Sequence, residues 1–421
     1  MTGRASFILR HSALVVFLLA LVVRLLVATA YYEPHPSADA ADYHRLAAGL
    51  AGGAGYVNEA GSPTAWRPPG YPFFLAGVYA VFGPDVRAAT IAQAVLGGLT
   101  ALLLAVFAGQ VAGRREALVA GLLAAVYPGF FWLPRLLLSE NLALFLVAAA
   151  LCVAASLARR WRAWLALALG VLLGIGTLTR APHLLFAMLL LAWLAWHLWR
   201  RGREWRKALL TLALAAAGIA VVIAPWAARN QGVFGRRVLV ATQDGMGLYA
   251  SFYPPTKGGR PVWGRLPGTE DPFVAEAERA GGGEAAVSES LRRATFRRLG
   301  ADPAHSLRVV PSKLLSLLAP LDWETFPHAP GASRSLNPVY ALVLIPAMLG
   351  VFVLRRRRAA LRSVLWVVPV AVLAQALITY GSPRFRLPAE TSSIVWASAA
   401  LVWAWDWRTR RRSNDKGRVD V

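Results

Sequence analysis

Long apolar runs separated by short polar or basic segments dominate the pattern of hydrophobic and polar positions along the chain. A transmembrane α-helix needs about 20 consecutive, mostly apolar residues. Ten runs reach or approach this length. They cover residues 12–30, 87–112, 117–132, 141–158, 164–179, 182–199, 208–227, 337–354, 361–379 and 387–405. The pattern therefore predicts an all-α polytopic membrane protein.

The first predicted outer loop carries a short amphipathic helix within residues 37–72. Tyr43, Leu46 and Leu50 recur at i, i+3 and i+7, which places them on one apolar stripe. At about 100° per residue, Asp39 falls in the middle of that stripe. A carboxylate centred on a buried stripe is unfavourable unless it has a partner or a function. The alternative is an aspartate favoured at a helix start by the helix dipole.

The same loop ends in a rigid turn, residues 66–72, with the sequence WRPPGYP. Three prolines and a glycine restrict its backbone, and a rigid turn suits Arg67 to anion binding. Asp42 lies about 60° to one side of the apolar stripe, nearer Arg45. We expect Asp42 to be solvated or paired with Arg45.

The chain divides into three predicted parts. Residues 1–228 form an N-terminal transmembrane module that includes the first outer loop, residues 31–72, and residues 229–336 form a Gly- and Pro-rich extracytoplasmic domain with partly amphipathic helices. Residues 337–421 add the last three helices and a basic cytoplasmic tail. Residues 73–82 are apolar but short for a span, so we expect them at the membrane interface.

The net charge of +23 permits nucleic-acid binding in principle, but the distribution of the charge does not favour it. With the N-terminus inside, the outer segments carry 21 basic and 17 acidic residues, whereas the inner segments carry 23 basic and only 5 acidic residues. The inner segments lie within residues 1–11, 113–116, 159–163, 200–207, 355–362 and 406–421. By the positive-inside rule, this charge marks the cytoplasmic face and contacts anionic membrane lipids. We predict a bacterial inner-membrane protein without a nucleic-acid partner.

Several site classes are excluded by what the sequence lacks. The single cysteine, Cys152, rules out an internal disulfide and a Cys-based zinc site. The seven histidines show no metal-ligand spacing with a carboxylate partner. There is no Walker loop, GxSxG or HExxH motif. We expect no metal and no cofactor.

The first membrane span is followed by a helix with the pattern D-x-x-x-Y, here Asp39 to Tyr43, and then by RPPGYP, residues 67–72. This order resembles the GT-C glycosyltransferases. Within that superfamily the chain is most similar to the bacterial branch related to protein O-mannosyltransferases and lipid A aminoarabinose transferases. The resemblance implies a polyprenyl-phosphate-linked sugar donor and an active site on the extracytoplasmic side. It also implies that Asp39 is the general base. In the protein O-mannosyltransferases a Glu follows this Asp directly, whereas Ala40 follows it here.

The resemblance extends to later residues. Glu140 corresponds to an acidic residue of the second outer loop, expected to orient the acceptor or an arginine; an ordinary helix-start glutamate is the alternative. Arg384 and Arg386 lie in YGSPRFRLP, which resembles the late arginine motif of the family, and two guanidinium groups there are suited to bind a phosphate. Lys313 is a further phosphate candidate. The remaining residues predicted to bind substrate are Asp42, Tyr43, Arg67 and Tyr71.

Three other arginines lie within or at the ends of spans. Arg24 falls inside the first span, where it is expected either to have a function or to extend to the interface. Arg180 and Arg229 lie at outer ends of spans. For these two the expectation is ordinary interfacial anchoring.

We therefore predict a membrane glycosyltransferase that transfers a sugar, with inversion, to an acceptor hydroxyl on a glycolipid, a polysaccharide or a protein. Transfer of this kind needs a base for the acceptor hydroxyl and cations for the departing phosphate. A transporter or lipid flippase is the alternative, because it would also be an all-helical membrane protein with buried charges. Such a protein usually shows internal repeats and spans broken by Gly or Pro, neither of which is clear in this sequence.

Overall fold

The computed structural model describes residues 2–32, 39–200, 204–257, 260–261, 265–279, 282–318, 338–356 and 360–416. Within these ranges the fold is helical apart from one small ribbon. The helices are α1 (Thr2–Ala30), α2 (Asp39–Ala51), α3 (Gly70–Phe82), α4 (Val86–Val111), α5 (Arg114–Val126), α6 (Pro128–Phe131), α7 (Glu140–Arg159), α8 (Ala163–Thr179), α9 (His183–Arg200), α10 (Trp205–Phe234), α11 (Gln243–Phe252), α12 (Pro272–Arg279), α13 (Gly283–Ala301), α14 (Pro303–Leu318), α15 (Pro338–Arg356), α16 (Val367–Ile378) and α17 (Pro383–Lys416). Short 3₁₀ helices cover Leu133–Arg135 and Ala360–Trp366. Strands β1 (Thr256–Lys257) and β2 (Arg260–Pro261) pair antiparallel.

In the described part of the chain, six helices are long and apolar enough to cross a membrane. They cover Ala13–Ala30, Val86–Val111, Glu140–Arg159, His183–Arg200, Trp205–Phe234 and Leu361–Ile378. A seventh span arises if the pair Arg114–Val126 and Pro128–Arg135, bent by 57°, is counted as one. The protein is therefore a multi-pass membrane protein, as predicted. Shorter apolar helices cover Gly70–Phe82, Ala163–Thr179 and Val343–Arg355.

The bent pair explains the arginine inside the first span. Arg24 is 1% exposed, and its guanidinium group donates to the carbonyl oxygens of Ala124 and Ala125, each at 3.0 Å. These carbonyls lie at the end of α5, where the helix stops and no later amide satisfies them. Gly97 leaves room for the arginine, because a Cβ there would lie 2.5 Å from Arg24 Nε. Arg24 therefore caps a broken span and does not extend to the interface.

The outer segment α11–α14 has its own small apolar core. It consists of Tyr249, Val274, Ala277, Leu291 and Ala294, contributed by α11, α12 and α13. Beyond this core, α14 packs against α16 and α17. Helices α11 to α13 therefore pack against one another, and α14 connects this segment to the last described membrane helices.

Candidate active site

Helix α2 begins at Asp39 and lies against the membrane helices through the stripe that the periodicity predicts. Tyr43 and Leu46 are buried, and Leu50 packs at the edge of the same core. Asp39 is not enclosed by that core, since its side chain remains 32% exposed. The first residue of the helix therefore faces a polar space beside the apolar stripe.

Two arginines from distant parts of the chain bind the Asp39 carboxylate. Arg67 Nη2 donates to Oδ1 at 2.7 Å, and Arg384 Nη2 donates to Oδ2 at 3.0 Å. Burial alone would raise the pKa of Asp39, but the positive charges of Arg384 and Arg67 outweigh it and hold the pKa below its ordinary value. Asp39 is therefore an ionised carboxylate with both oxygens engaged.

Asp42 lies on the outer flank of this arrangement. Its Oδ2 accepts from Arg67 Nε at 3.1 Å and from Arg67 Nη2 at 2.8 Å. Its Oδ1 accepts from Arg45 at 3.0 Å, which is the pairing that its direction on the helix predicts. These bonds join Asp42 to Arg67 and Arg45 and not to Arg384 on α17. Asp42 therefore orients Arg67 from the side away from α17.

Glu140 provides the second carboxylate of the site. It is 3% exposed and begins α7, where the helix dipole favours a negative charge. Its Oε1 accepts from Arg384 Nε and lies 2.6 Å from Arg180 Nη1. Ser139 stands beside it and connects to Tyr43, whose hydroxyl donates to Ser139 Oγ at 3.4 Å. Glu140 therefore contacts an arginine, as expected, and holds two of them.

Sequence reasoning missed Arg180, and the prediction that it only anchors a span end is wrong. The signal was its level in the membrane. Arg180 directly follows α8 at the same predicted outer level as Glu140, which begins α7. The approach of the first loop is also close here: a Cβ at Gly70 would lie 2.7 Å from Thr179 Oγ1. The glycine of RPPGYP therefore lets the turn pack directly against the end of α8.

The result is an alternating chain of charges across four elements: Arg67, Asp39, Arg384, Glu140 and Arg180. At its inner end, two guanidinium groups share the single carboxylate of Glu140. Such an end is suited to a further anion, because paired guanidinium groups bind phosphate oxygens well.

A small cleft starts at this inner end. Glu140, Arg180, Arg384, His183 and Gln375 form its polar part. Apolar side chains of α7, α9, α16 and α17 line the rest, namely Ala143, Leu144, Val147, Phe186, Val368, Ala371, Val372 and Leu387. A site with apolar walls and a few placed charges suits an amphiphilic ligand with an anionic head.

Three of the predicted binding residues are held by groups that do not belong to the charge chain. Tyr71 is fully buried and its hydroxyl donates to Gln93 Oε1 at 2.8 Å. Lys313 donates to the carbonyl oxygen of Leu377 at 3.0 Å, and burial lowers the pKa of Lys313 to about 8. Each of these two side chains is held by groups that belong to the packing of the helices.

Arg386 is the third. Its Nε donates to Glu390 at 2.8 Å and its Nη1 donates to the carbonyl oxygen of Leu317 at 3.0 Å. The structure therefore separates the two arginines of the late motif: Arg384 faces Asp39, and Arg386 faces the interior of the helix packing. Among the residues that the structure describes, no group of three or more His, Cys, Asp or Glu has the arrangement of a metal site.

Comparisons with known proteins identify chains of similar fold. The family model for dolichyl-phosphate-mannose-protein mannosyltransferase matches residues 66–228, a range that includes Arg67, Glu140 and Arg180. The archaeal oligosaccharyltransferase AglB from Archaeoglobus fulgidus, solved in complex with an inhibitory peptide and a dolichol-phosphate, superposes with a TM-score of 0.60 at 14% identity. The match covers 96% of this chain and 52% of that one. This chain has the GT-C fold.

Two further solved structures match this chain. The oligosaccharyltransferase of A. fulgidus in complex with Zn and sulfate gives a TM-score of 0.57 at 15% identity, over 94% of this chain and 50% of that one. ArnT from Cupriavidus metallidurans, bound to undecaprenyl phosphate, gives 0.39 at 16% identity, over 96% and 78% of the two chains. The chain spans about half the length of the archaeal enzymes it matches. No curated protein sequence matches it. The resemblance seen in the sequence is confirmed.

Proposed function

We propose that this protein transfers a sugar from a polyprenyl-phosphate-linked donor to an acceptor hydroxyl, on the extracytoplasmic side of a bacterial inner membrane. One observation carries the proposal. An apolar cleft between the helices ends at Arg180, Glu140 and Arg384, and Arg384 contacts Asp39 directly. A lipid-phosphate site and a candidate base are thereby joined through one arginine.

The donor fits this cleft by its chemistry. The polyprenyl tail lies along the apolar walls, and the phosphate takes hydrogen bonds from Arg180 and Arg384. The sugar attached to the phosphate then extends past Arg384 toward Asp39. The archaeal structure with a dolichol-phosphate and the family model for a dolichyl-phosphate-mannose enzyme support this class of donor.

The reaction is a single displacement. The acceptor oxygen forms a bond to the anomeric carbon, while the bond from that carbon to the phosphate oxygen breaks and the lipid phosphate departs with the electron pair. Asp39 takes the proton of the acceptor hydroxyl. One displacement without a covalent intermediate inverts the anomeric centre. Arg180 and Arg384 stabilise the charge that develops on the leaving phosphate.

Asp39 needs a free oxygen for this role, and the donor supplies it. A phosphate that binds Arg384 competes with the carboxylate for the same guanidinium group, so Oδ2 of Asp39 is released toward the sugar. Arg67 keeps Oδ1 in place at 2.7 Å. Glu140 holds Arg180 and Arg384 at the cleft, and Asp42 and Tyr43 support the positions of Arg67 and Ser139.

The proposed topology has ten spans. Besides the six long spans, the candidates are the shorter apolar helices α3 and α8, the bent pair α5–α6, and the C-terminal helices α15 and α17. We propose that α3 stays at the interface and that the others cross. Both termini then lie in the cytoplasm, and residues 229–336 form the extracytoplasmic domain between the two transmembrane parts.

The test uses a radiolabelled polyprenyl-phosphate sugar, purified protein and a membrane extract as the source of acceptor. The proposal predicts label in an acceptor that no longer carries the polyprenyl group. A lipid flippase would move the donor between leaflets of a vesicle without this transfer. Movement without transfer would overturn the enzymatic proposal.

A further inference from the structure

The residues directly before the turn that presents Arg67 are bound by a glutamate from the outer segment, α11–α14. Thr64 Oγ1 donates to Glu284 Oε2 at 2.7 Å, and the Ala65 amide donates to Glu284 Oε1 at 2.5 Å. Glu284 belongs to the first turn of α13, about 220 residues later in the chain. The Glu284 carboxylate thus accepts one hydrogen bond from a side chain and one from a backbone amide, with one oxygen for each.

The start of α11 binds the same turn from another side. The Thr242 amide donates to the carbonyl oxygen of Ala65 at 2.8 Å. Arg67 Nη1 donates to Gln243 Oε1 at 3.1 Å. Since Arg67 Nε and Nη2 already face the two carboxylates of α2, Gln243 engages the remaining nitrogen of the guanidinium group. The orientation of Arg67 is therefore set by α2 and α11 together.

A third element completes the enclosure of the turn. Arg229, near the end of α10, donates to the carbonyl oxygens of Thr64 and Tyr56 at 2.7 and 3.1 Å. The expectation of simple interfacial anchoring for Arg229 is therefore wrong, because both terminal nitrogens of its guanidinium group bind the backbone of the first loop.

We propose that Glu284 and Gln243 are positioning residues of the active site, which act through Arg67 on Asp39. The outer segment then does more than cover the site: α11 and α13 set the geometry of the arginine that holds the base. The effect on sugar transfer rests on the proposed function, whereas the effect on the turn does not. A displacement of about 1 Å at a catalytic group lowers rates by up to about 100-fold.

The test combines hydrogen exchange with transfer assays on full-length protein. In Glu284→Ala, the amides of residues 64–67 should exchange faster, and the transfer rate from a radiolabelled polyprenyl-phosphate sugar should fall by about 10- to 100-fold. Glu284→Gln should restore both, because an amide can accept from Ala65 and donate to the Thr64 hydroxyl. The control is Glu289→Ala on the same helix, since Glu289 pairs only outward with Arg236 and Arg293 among its salt bridges. It should leave both measurements unchanged.

A double-mutant cycle shows whether Glu284 acts through Arg67. If it does, Glu284→Ala should have little further effect on transfer in an Arg67→Ala background, and Gln243→Ala should behave in the same way. An equal loss in both backgrounds, or wild-type exchange at residues 64–67 in Glu284→Ala, would overturn the inference. If the wild-type protein transfers no sugar, the proposed function fails, and the exchange measurement alone then decides whether Glu284 holds the turn.

Discussion

Arg384 donates a hydrogen bond from Nη2 to Oδ2 of Asp39 over 3.0 Å, although 345 residues separate the two in the chain. Through Nε, Arg384 also reaches Glu140. The site is therefore assembled from the first outer loop, the start of α7 and the start of α17. Its parts meet only when α2, α7 and α17 come together in the folded chain.

The orientation in the membrane gives the first prediction. A cysteine introduced by Arg297→Cys on α13 should react with a membrane-impermeant thiol reagent applied from outside, and one introduced by Arg115→Cys should not. Both arginines are exposed, and the positive-inside rule places them on opposite sides. The native Cys152 is buried and gives little background. If only the Arg115→Cys protein is labelled, the proposed orientation in the membrane is wrong.

The donor site gives the second prediction. Undecaprenyl phosphate should bind the wild-type protein, and Arg384→Ala or Arg180→Ala should weaken that binding by at least about tenfold, since a hydrogen bond to a charged group contributes about 1.5–3 kcal/mol. Arg384→Lys keeps the charge but loses the planar fork, so affinity should still fall. Binding is measured as Kd in detergent or nanodiscs. Unchanged affinity for undecaprenyl phosphate in all three variants would show that its phosphate does not bind in this cleft.

Arg386 serves as the matched contrast to Arg384 and gives the third prediction. Arg386→Met should leave the Glu390 carboxylate buried without its partner and lower the free energy of unfolding by about 3–5 kcal/mol. The double variant Arg386→Met with Glu390→Leu should recover most of that loss, because an apolar pair replaces the buried ions. Thermal unfolding provides the measurement. A stable Arg386→Met protein with weakened binding of undecaprenyl phosphate would instead place Arg386 in the donor site.

The fourth prediction concerns pH. Arg384 and Arg67 hold the pKa of Asp39 below its ordinary value of about 3.9, so the base stays ionised and kcat/KM should show no acid limb from Asp39 above about pH 5. Removing Arg67 takes away one of the two cations, so Arg67→Ala should move the acid limb to higher pH. The stabilising effect of these ion pairs follows the same sign: it is present above the unfolded pKa and is lost as the pH falls through the folded one.

Arg45→Ala is the control for this measurement, because Arg45 contacts Asp42 and Glu59 but is not among the arginines bound to Asp39. Its pH profile should match that of the wild type. An acid limb that moves to lower pH in Arg67→Ala would contradict the assignment of Asp39 as the titrating base.

The sequence predicted those features of the site that depend on local spacing. The stripe of Tyr43 and Leu46 and the pairing of Asp42 with Arg45 both follow from the angle per residue of a helix. The rigid turn before Tyr71 follows from its prolines. The hydropathy pattern also predicted the six helices that are long and apolar enough to cross a membrane.

Long-range contacts were beyond reach of the same reasoning. Nothing in YGSPRFRLP shows that Arg384 turns toward Asp39 while Arg386, two residues later, turns toward Glu390. The direction depends on where α14 and α17 pack, which local spacing does not encode. The break in the span after Val126 was missed for a similar reason, because the apolar run continues through it and only Pro128 marks the bend.

The central claim is that Asp39 acts as the base while Asp42 supports Arg67. The two carboxylates lie three residues apart on α2, and their substitution by Asn changes the charge of the loop equally. Only Asp39 lies between Arg67 and Arg384, next to the cleft. The substitution keeps the size of the side chain and removes its basicity, and loss of general-base catalysis lowers a rate by about 10²–10⁴-fold.

The most direct measurement is the turnover of purified Asp39→Asn and Asp42→Asn with a radiolabelled polyprenyl-phosphate sugar, alongside their melting temperatures and their Kd for undecaprenyl phosphate. Asp39→Asn should remain folded, bind the lipid phosphate and transfer sugar at about 10²–10⁴-fold below the wild-type rate. Asp42→Asn should keep most of the activity. An active Asp39→Asn, or a folded Asp42→Asn without activity, would contradict the account.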